Sequence, residues 1–110
     1  MVKVTVYKNE NHQSVGFKTL GHAEYAKEGQ DIVCSAVSIL TINTLNSIEK
    51  FTNDPMVVDV NERCGMIDFR VKGNPSKESL LLLDAMVLGL SDMAEDKFYK
   101  KYMQLTFEEV

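Results

Sequence analysis

Residues 31–51 run for roughly twenty positions without a glycine or a proline. Val33, Val37, Leu40, Thr44, Ile48 and Phe51 recur along this stretch at three- and four-residue spacing. That is the period of one helix face, and the stretch is too long for an ordinary strand. Its many β-branched residues favour extended backbone locally, but the length decides for a helix of about 30 Å. Such a helix must lie against a sheet or another helix to bury its apolar stripe. Asp31 stands where an N-cap is needed, because its carboxylate can accept from the open N–H groups of the first turn.

The flanking segments read as strands. Val2, Val4 and Val6 alternate with Lys3, Thr5 and Tyr7, the pattern of a half-buried strand. Asn9-Glu10-Asn11 supplies turn chemistry, and a second strand follows through Val15, Phe17 and Leu20 to complete a hairpin. Residues 21–30 break the alternation with Gly21, His22, several charges and Gly29, and read as a loop. After Asn53-Asp54-Pro55 come two short strands, residues 57–61 and 66–72, with Gly65 suited to a positive φ in the turn between them. Gly73-Asn74-Pro75-Ser76 opens a second helix, with Pro75 accommodated in its first turn. Leu80, Leu83, Val87, Leu90 and Ala94 make its stripe, while Leu82, Met86 and Met93 lie off it. A helix apolar on two sides has to bury two sides, and a second subunit would cover the second. A last strand covers residues 102–108. The order β-β-α-β-β-α-β implies an α+β fold: a mostly antiparallel sheet with two helices on one face, formed by residues 1–110 as a single domain.

Composition narrows the function classes. The formal charge is −4, with no basic stripe, so direct nucleic-acid binding is not expected. The longest uninterrupted apolar runs are four residues, so no membrane span is expected. The first residues alternate polar and apolar, unlike a secretory signal. Two cysteines, Cys34 and Cys64, are too few for a disulfide framework, and both are expected as thiols in a reducing, cytoplasmic setting.

Cys34 is the residue with chemical potential. It falls in the first turn of the long helix, where unpaired N–H groups and the macrodipole favour a thiolate. It flanks the apolar stripe, and Ser38 and Thr41 continue its side of the helix as a small polar face that could floor a cleft. The base candidate is His22, in the loop before the helix; a Cys nucleophile needs a base to hold the thiolate and then protonate the leaving amine. Spacing alone equally fits a solvent-facing His22 and a merely buried Cys34. Asp31 has two roles open to it, capping the helix and orienting His22. His22, Cys34 and Cys64 lack metal-ligand spacing, so neither metal nor cofactor is expected. Cys64 and His12 fall in turns and read as incidental. Ile32, Ser35, Ser38 and residues 23–30 are the places to look for a substrate pocket, and residues 23–30 could close on a bound peptide.

These residues also carry a resemblance. Gly21-His22-Ala23, followed by Gly29-Gln30-Asp31-Ile32-Val33-Cys34-Ser35-Ala36-Val37-Ser38, resembles the signature of the bacterial ribosomal-processing cysteine proteases, the Prp family. The likeness extends over the whole chain, including its length and the Leu-rich second helix. Ser35 departs from the alanine the pattern leads one to expect. The resemblance implies a Cys-His dyad with Cys34 as nucleophile and His22 as base. It implies a peptide substrate in large-subunit ribosomal protein number twenty-seven, whose short N-terminal extension must be removed, and a homodimer. A non-catalytic ribosome-associated binding module of the same fold would account for the acidic charge but not for the pairing of His22 with Cys34. A thiol-redox or metal-handling protein is a further alternative.

Overall fold

The computed structural model describes residues 1–21 and 29–110. In chain order the elements are β1 (Val2–Lys8), β2 (Ser14–Leu20), α1 (Gln30–Phe51), β3 (Met56–Asn61), β4 (Met66–Val71), α2 (Lys77–Glu95) and β5 (Met103–Glu109). Single 3-10 turns at Glu62–Cys64 and Tyr99–Lys101 precede β4 and β5. The sequence order of strands and helices is therefore the observed one. Each expected strand lies within two residues of its observed place.

The five strands form one sheet in the order β3-β4-β2-β1-β5. All neighbours are antiparallel except β1 and β5, which pair in parallel from Val2↔Met103 to Lys8↔Glu109. Alternation then sorts the side chains. Val2, Val4 and Val6 of β1, Phe17 of β2, Phe69 and Val71 of β4 and Met103 of β5 are all buried. All but Val6 join Val33, Val37 and Ile48 of α1 and Leu83, Met86 and Leu90 of α2 in one core. Both helices thus lie on one face. Phe17 and Phe69 stand directly opposite each other with ring centroids 5.4 Å apart, anchoring β2 to β4 under the helices.

The other face is polar but not featureless. Gly16 stands between Tyr7 on one side and Arg70 on the other. A Cβ at Gly16 would lie 2.2 Å from the Phe69 carbonyl oxygen, so only glycine permits this approach of β2 to β4. The Arg70 guanidinium sits over the Tyr7 ring, 4.5 Å from its centroid, and the Tyr7 hydroxyl donates to Asp68 at 2.9 Å. Burial, reinforced by this hydrogen bond to a carboxylate, pushes the Tyr7 phenol up to about 12.

Three helix expectations change. Asp31 is not the cap of α1: Gly29 occupies that position at φ 100, with no side-chain hydrogen bond to the open turn. Asp31 is instead an exposed residue of the first turn, where its charge suits the helix dipole. Pro75 lies outside α2, and Ser76 caps it by accepting from the Ser79 N–H at 3.2 Å. Met86, assigned off the stripe, is buried in the core, because the buried positions of α2 are Ser79, Leu83, Met86 and Leu90. The exposed second apolar side consists of Leu81 and Leu88.

Helix α1 is also long and apolar enough to cross a bilayer by length and composition alone, which the count of unbroken apolar runs did not reveal. Serines, threonines and asparagines interrupt those runs without making the helix strongly polar. Here its buried stripe, Val33, Val37, Thr41, Thr44 and Ile48, packs as that of a core helix does.

Asp54, in the connection from α1 to β3, binds the start of α2. Its Oδ2 accepts from the Ser76 N–H at 2.9 Å, the Ser76 hydroxyl at 2.7 Å and the Ser79 hydroxyl at 2.5 Å. These donors hold the carboxyl below its usual range, the Ser79 bond foremost. A lowered folded-state pKa contributes stability that is present above the unfolded value of 3.8 and is lost as pH falls through the folded one. Asp54→Asn is therefore expected to cost about 1–2 kcal/mol near pH 7. In urea unfolding, that difference from the parent chain should shrink below about pH 4.

Candidate active site

The site lies at one end of the sheet, where α1 begins. Gly29 ends the connection from β2 and starts the helix; its φ of 100 is a conformation that side chains disfavour. A Cβ there would also stand 3.0 Å from the Tyr102 hydroxyl, so Tyr102 seats the start of α1. The Val33 N–H already donates to the Gly29 carbonyl at 3.3 Å. The open backbone donors are therefore those of Gln30, Asp31 and Ile32.

Cys34 is the fifth residue of α1, two positions further in than a cap at Asp31 would have placed it, and so in the second turn rather than the first. Helical side chains lean toward the N-terminus, so its Sγ is directed over the turn that carries the open N–H groups. The residue is half-buried, packed against the core. It opens into a cleft of about 350 Å³ lined by Gly21, Cys34, Ser38, residues 60–62 and residues 65–67. The walls come from three places: the end of β2, the second turn of α1, and the β3–β4 hairpin. The register explains why they meet. Thr19 pairs with Ile67 and Val60 pairs with Ile67, so the end of β2 and the hairpin turn share one end of the sheet.

The hairpin wall is shaped locally. The Asn61 side chain accepts from the Arg63 N–H at 3.1 Å, and Gly65 closes the turn at φ 60, as its position in the sequence suggested. The Val60, Met66 and Ile67 side chains make much of the lining apolar, with Glu62 among the polar lining residues.

Of the residues singled out in the sequence, Cys34 and Ser38 meet in the cleft. Thr41 does not extend its floor: the residue is fully buried, and its hydroxyl donates back to the Val37 carbonyl at 2.8 Å. Ile32 and Ser35 are exposed and do not line the cleft. At 100° per residue they lie 200° and 100° around the helix from Cys34. His22 and residues 23–28 of the proposed closing segment 23–30 lie outside the described residues; the last two, Gly29 and Gln30, are the cap and first residue of α1 rather than loop. Asp31 is exposed at the helix start. The hairpin wall went unread because its meeting with Cys34 joins positions about thirty residues apart, and no local pattern records that.

A cysteine near a helix start, facing an apolar wall across an open cleft on an α+β scaffold, is an arrangement that thiol-dependent hydrolysis could use. Comparison with known proteins makes the class specific. Residues 1–104 match the model of the family described as cysteine protease Prp, and the chain belongs to that family; it is a cysteine protease. The ribosomal processing cysteine protease Prp of Bacillus subtilis is 24% identical over 110 residues, covering 96% of each chain. Two crystal structures of an essential ribosomal processing protease Prp from S. aureus superimpose on the fold. One, in complex with a substrate peptide, is 22% identical with a TM-score of 0.89. The other, with a covalently linked product peptide, is 23% identical with a TM-score of 0.84. Each covers 98% of this chain and 100% of the other.

Because Gly29 combines a left-handed backbone with contact to Tyr102, Gly29→Ala should destabilise the chain by about 1–3 kcal/mol. Urea unfolding measures the loss, and a Gly73→Ala control separates the two causes. Gly73 also has a positive φ of 68, but a Cβ there meets nothing within 4 Å.

Proposed function

We propose that this protease removes the short N-terminal extension of large-subunit ribosomal protein number twenty-seven, in the cytoplasm, by a Cys34–His22 dyad. The observation that carries the reading is the placement of Cys34 at the mouth of α1, open to a peptide-sized cleft, in a chain whose relatives are named as ribosomal processing proteases. His22 takes the proton from the Cys34 Sγ, and the thiolate attacks the scissile carbonyl. The tetrahedral oxyanion lies toward the open N–H groups of Gln30, Asp31 and Ile32, the donors available without rearranging the helix. His22 then protonates the leaving amine, and the new N-terminus departs. Water, deprotonated by the same imidazole, hydrolyses the thioester and restores the thiol. The Asp31 carboxylate orients His22 from the first turn of α1.

A fluorescence-quenched peptide spanning the processing junction of the source organism's ribosomal protein tests this reading. Cys34→Ala and His22→Ala should each lower kcat by about a thousandfold or more with an unchanged melting temperature. Turnover retained by either variant excludes the dyad. Near neutral pH, iodoacetamide should label Cys34 ahead of Cys64, and equal labelling would remove the activated thiol.

The same reading includes a homodimer. The outer sides of both helices carry apolar residues in water: Ile39 is 72% exposed, Leu81 70% and Leu88 66%. Exposed apolar side chains of this size, set a helical repeat apart on α2, suit a subunit contact. Sedimentation should give a dimer for the parent chain and a monomer for Leu81→Glu/Leu88→Glu. A parent monomer at micromolar concentration would exclude the assembly.

A further inference from the structure

We propose that the outer edge of β3 binds the substrate peptide as an added strand, and that Val58 and Val60 select apolar residues at alternate positions of it. This deepens the peptidase reading above and rests on it. The phase of the β3–β4 ladder supplies the first argument. The Lys72 N–H donates to the Pro55 carbonyl at 2.8 Å, so Pro55 and Lys72 form a hydrogen-bonded pair. In an antiparallel ladder such pairs alternate, so Val57↔Arg70, Asp59↔Asp68 and Asn61↔Met66 are bonded pairs as well. The main-chain groups of Met56, Val58 and Val60 therefore point away from β4, and among the described residues no strand pairs with that edge.

The second argument is which face the valines occupy. Val58 and Val60 pair with Phe69 and Ile67 and share their face of the sheet, the one that carries the helices and Cys34. Yet Val58 is 44% exposed and Val60 55%. The helices stop short of them. Free sheet edges are normally blunted by charge, proline or a bulge; Met56–Asn61 carries no proline and no bulge, and its one charge, Asp59, lies on the opposite face from Val58 and Val60. The third argument is continuity: Val60 lines the cleft with Cys34, and Val58 lies about 6.6 Å further back along the same edge. A peptide strand beside β3 would enter the cleft at Val60. Every second side chain would point to the helix side and rest against the two valines; the others would face Val57 and Asp59 across the sheet. Strand addition of this kind draws affinity from main-chain bonds and selectivity from alternate side chains.

Val58→Pro isolates the edge. The Val58 N–H points outward, so proline there deletes a donor without breaking the β3–β4 ladder. For the junction peptide, KM should rise about fivefold to tenfold with kcat and the melting temperature unchanged. The rate of Cys34 alkylation should also stay the same. Independently, amide exchange is read by NMR on the Cys34→Ala chain with a capped octapeptide alternating valine and serine. The Val58 and Val60 amides should exchange at least tenfold more slowly with the peptide present. A control octapeptide with aspartate in place of valine should leave them unprotected. An unchanged KM for Val58→Pro overturns the proposal, as does the absence of peptide-dependent protection. So does protection that appears without peptide and grows with protein concentration, which would assign the edge to a second copy. Failure of the parent chain to cut the junction peptide counts against the substrate reading alone, since the exchange measurement does not depend on cleavage.

Discussion

Two helices cannot roof five strands. Strands sit about 4.8 Å apart and packed helices about 8–10 Å apart, so a pair of helices shelters about four. The sheet places the shortfall on its edges: the helix-side Val58 and Val60 of β3, and Phe107 at the end of β5, remain in water, while Val2, Val4, Phe17 and Phe69 between them are buried. The cleft is what this mismatch leaves. Its floor and far wall are the uncovered end of the β3–β4 hairpin, and its near wall is the second turn of α1. A third helix over β3 would bury more apolar surface and remove the site.

The start of α1 is defined from below and behind. Tyr102 fixes Gly29, and Gly29 fixes the direction in which the helix leaves. Cys34 follows one turn later, held by Val33 and Val37, which are fully buried on either side of it in the chain. Rigidity of this kind is what the proposed role of Cys34 as nucleophile would require, since a reacting group must be held within a fraction of an ångström of its productive geometry. Asp54 adds a second tie by joining the end of one helix connection to the cap of the other helix. The two halves of the chain are thereby fastened together away from the cleft.

Much of this architecture was legible in residue order. The alternating valines of β1 read as a strand, and after residue 31 the length of the unbroken helical period outweighed its β-branched residues; both elements stand where those readings put them. The glycine cap was not legible, because an acidic residue near a helix start looks like a cap whether or not the chain turns at the glycine before it. Thr41 looked like a surface hydroxyl; its back-bond to Val37 lets a polar residue sit in the core, and no sequence pattern separates the two cases. Cys34 stood out by position, and the Gly-His-Ala and Asp-Ile-Val-Cys segments matched a known signature. The apolar wall opposite Cys34 depends on strand register across the whole sheet, which local periodicity does not encode. The same holds for β5: nothing in residues 103–109 announces a parallel partner.

That parallel pairing has a consequence for how the molecule is made. Thr5 and Thr106 exchange a hydroxyl contact at 3.2 Å across 101 positions of chain. As the polypeptide emerges during translation, β1 and β2 can zip together early, but the second flank of β1 stays bare until about a hundred more residues have been added. Met103, buried beneath the helices, arrives equally late. Closure of the fold is therefore a long-range event with a large entropic barrier. Through most of synthesis the nascent chain carries an unfilled edge beside the alternating valines of β1, a condition under which chaperones help.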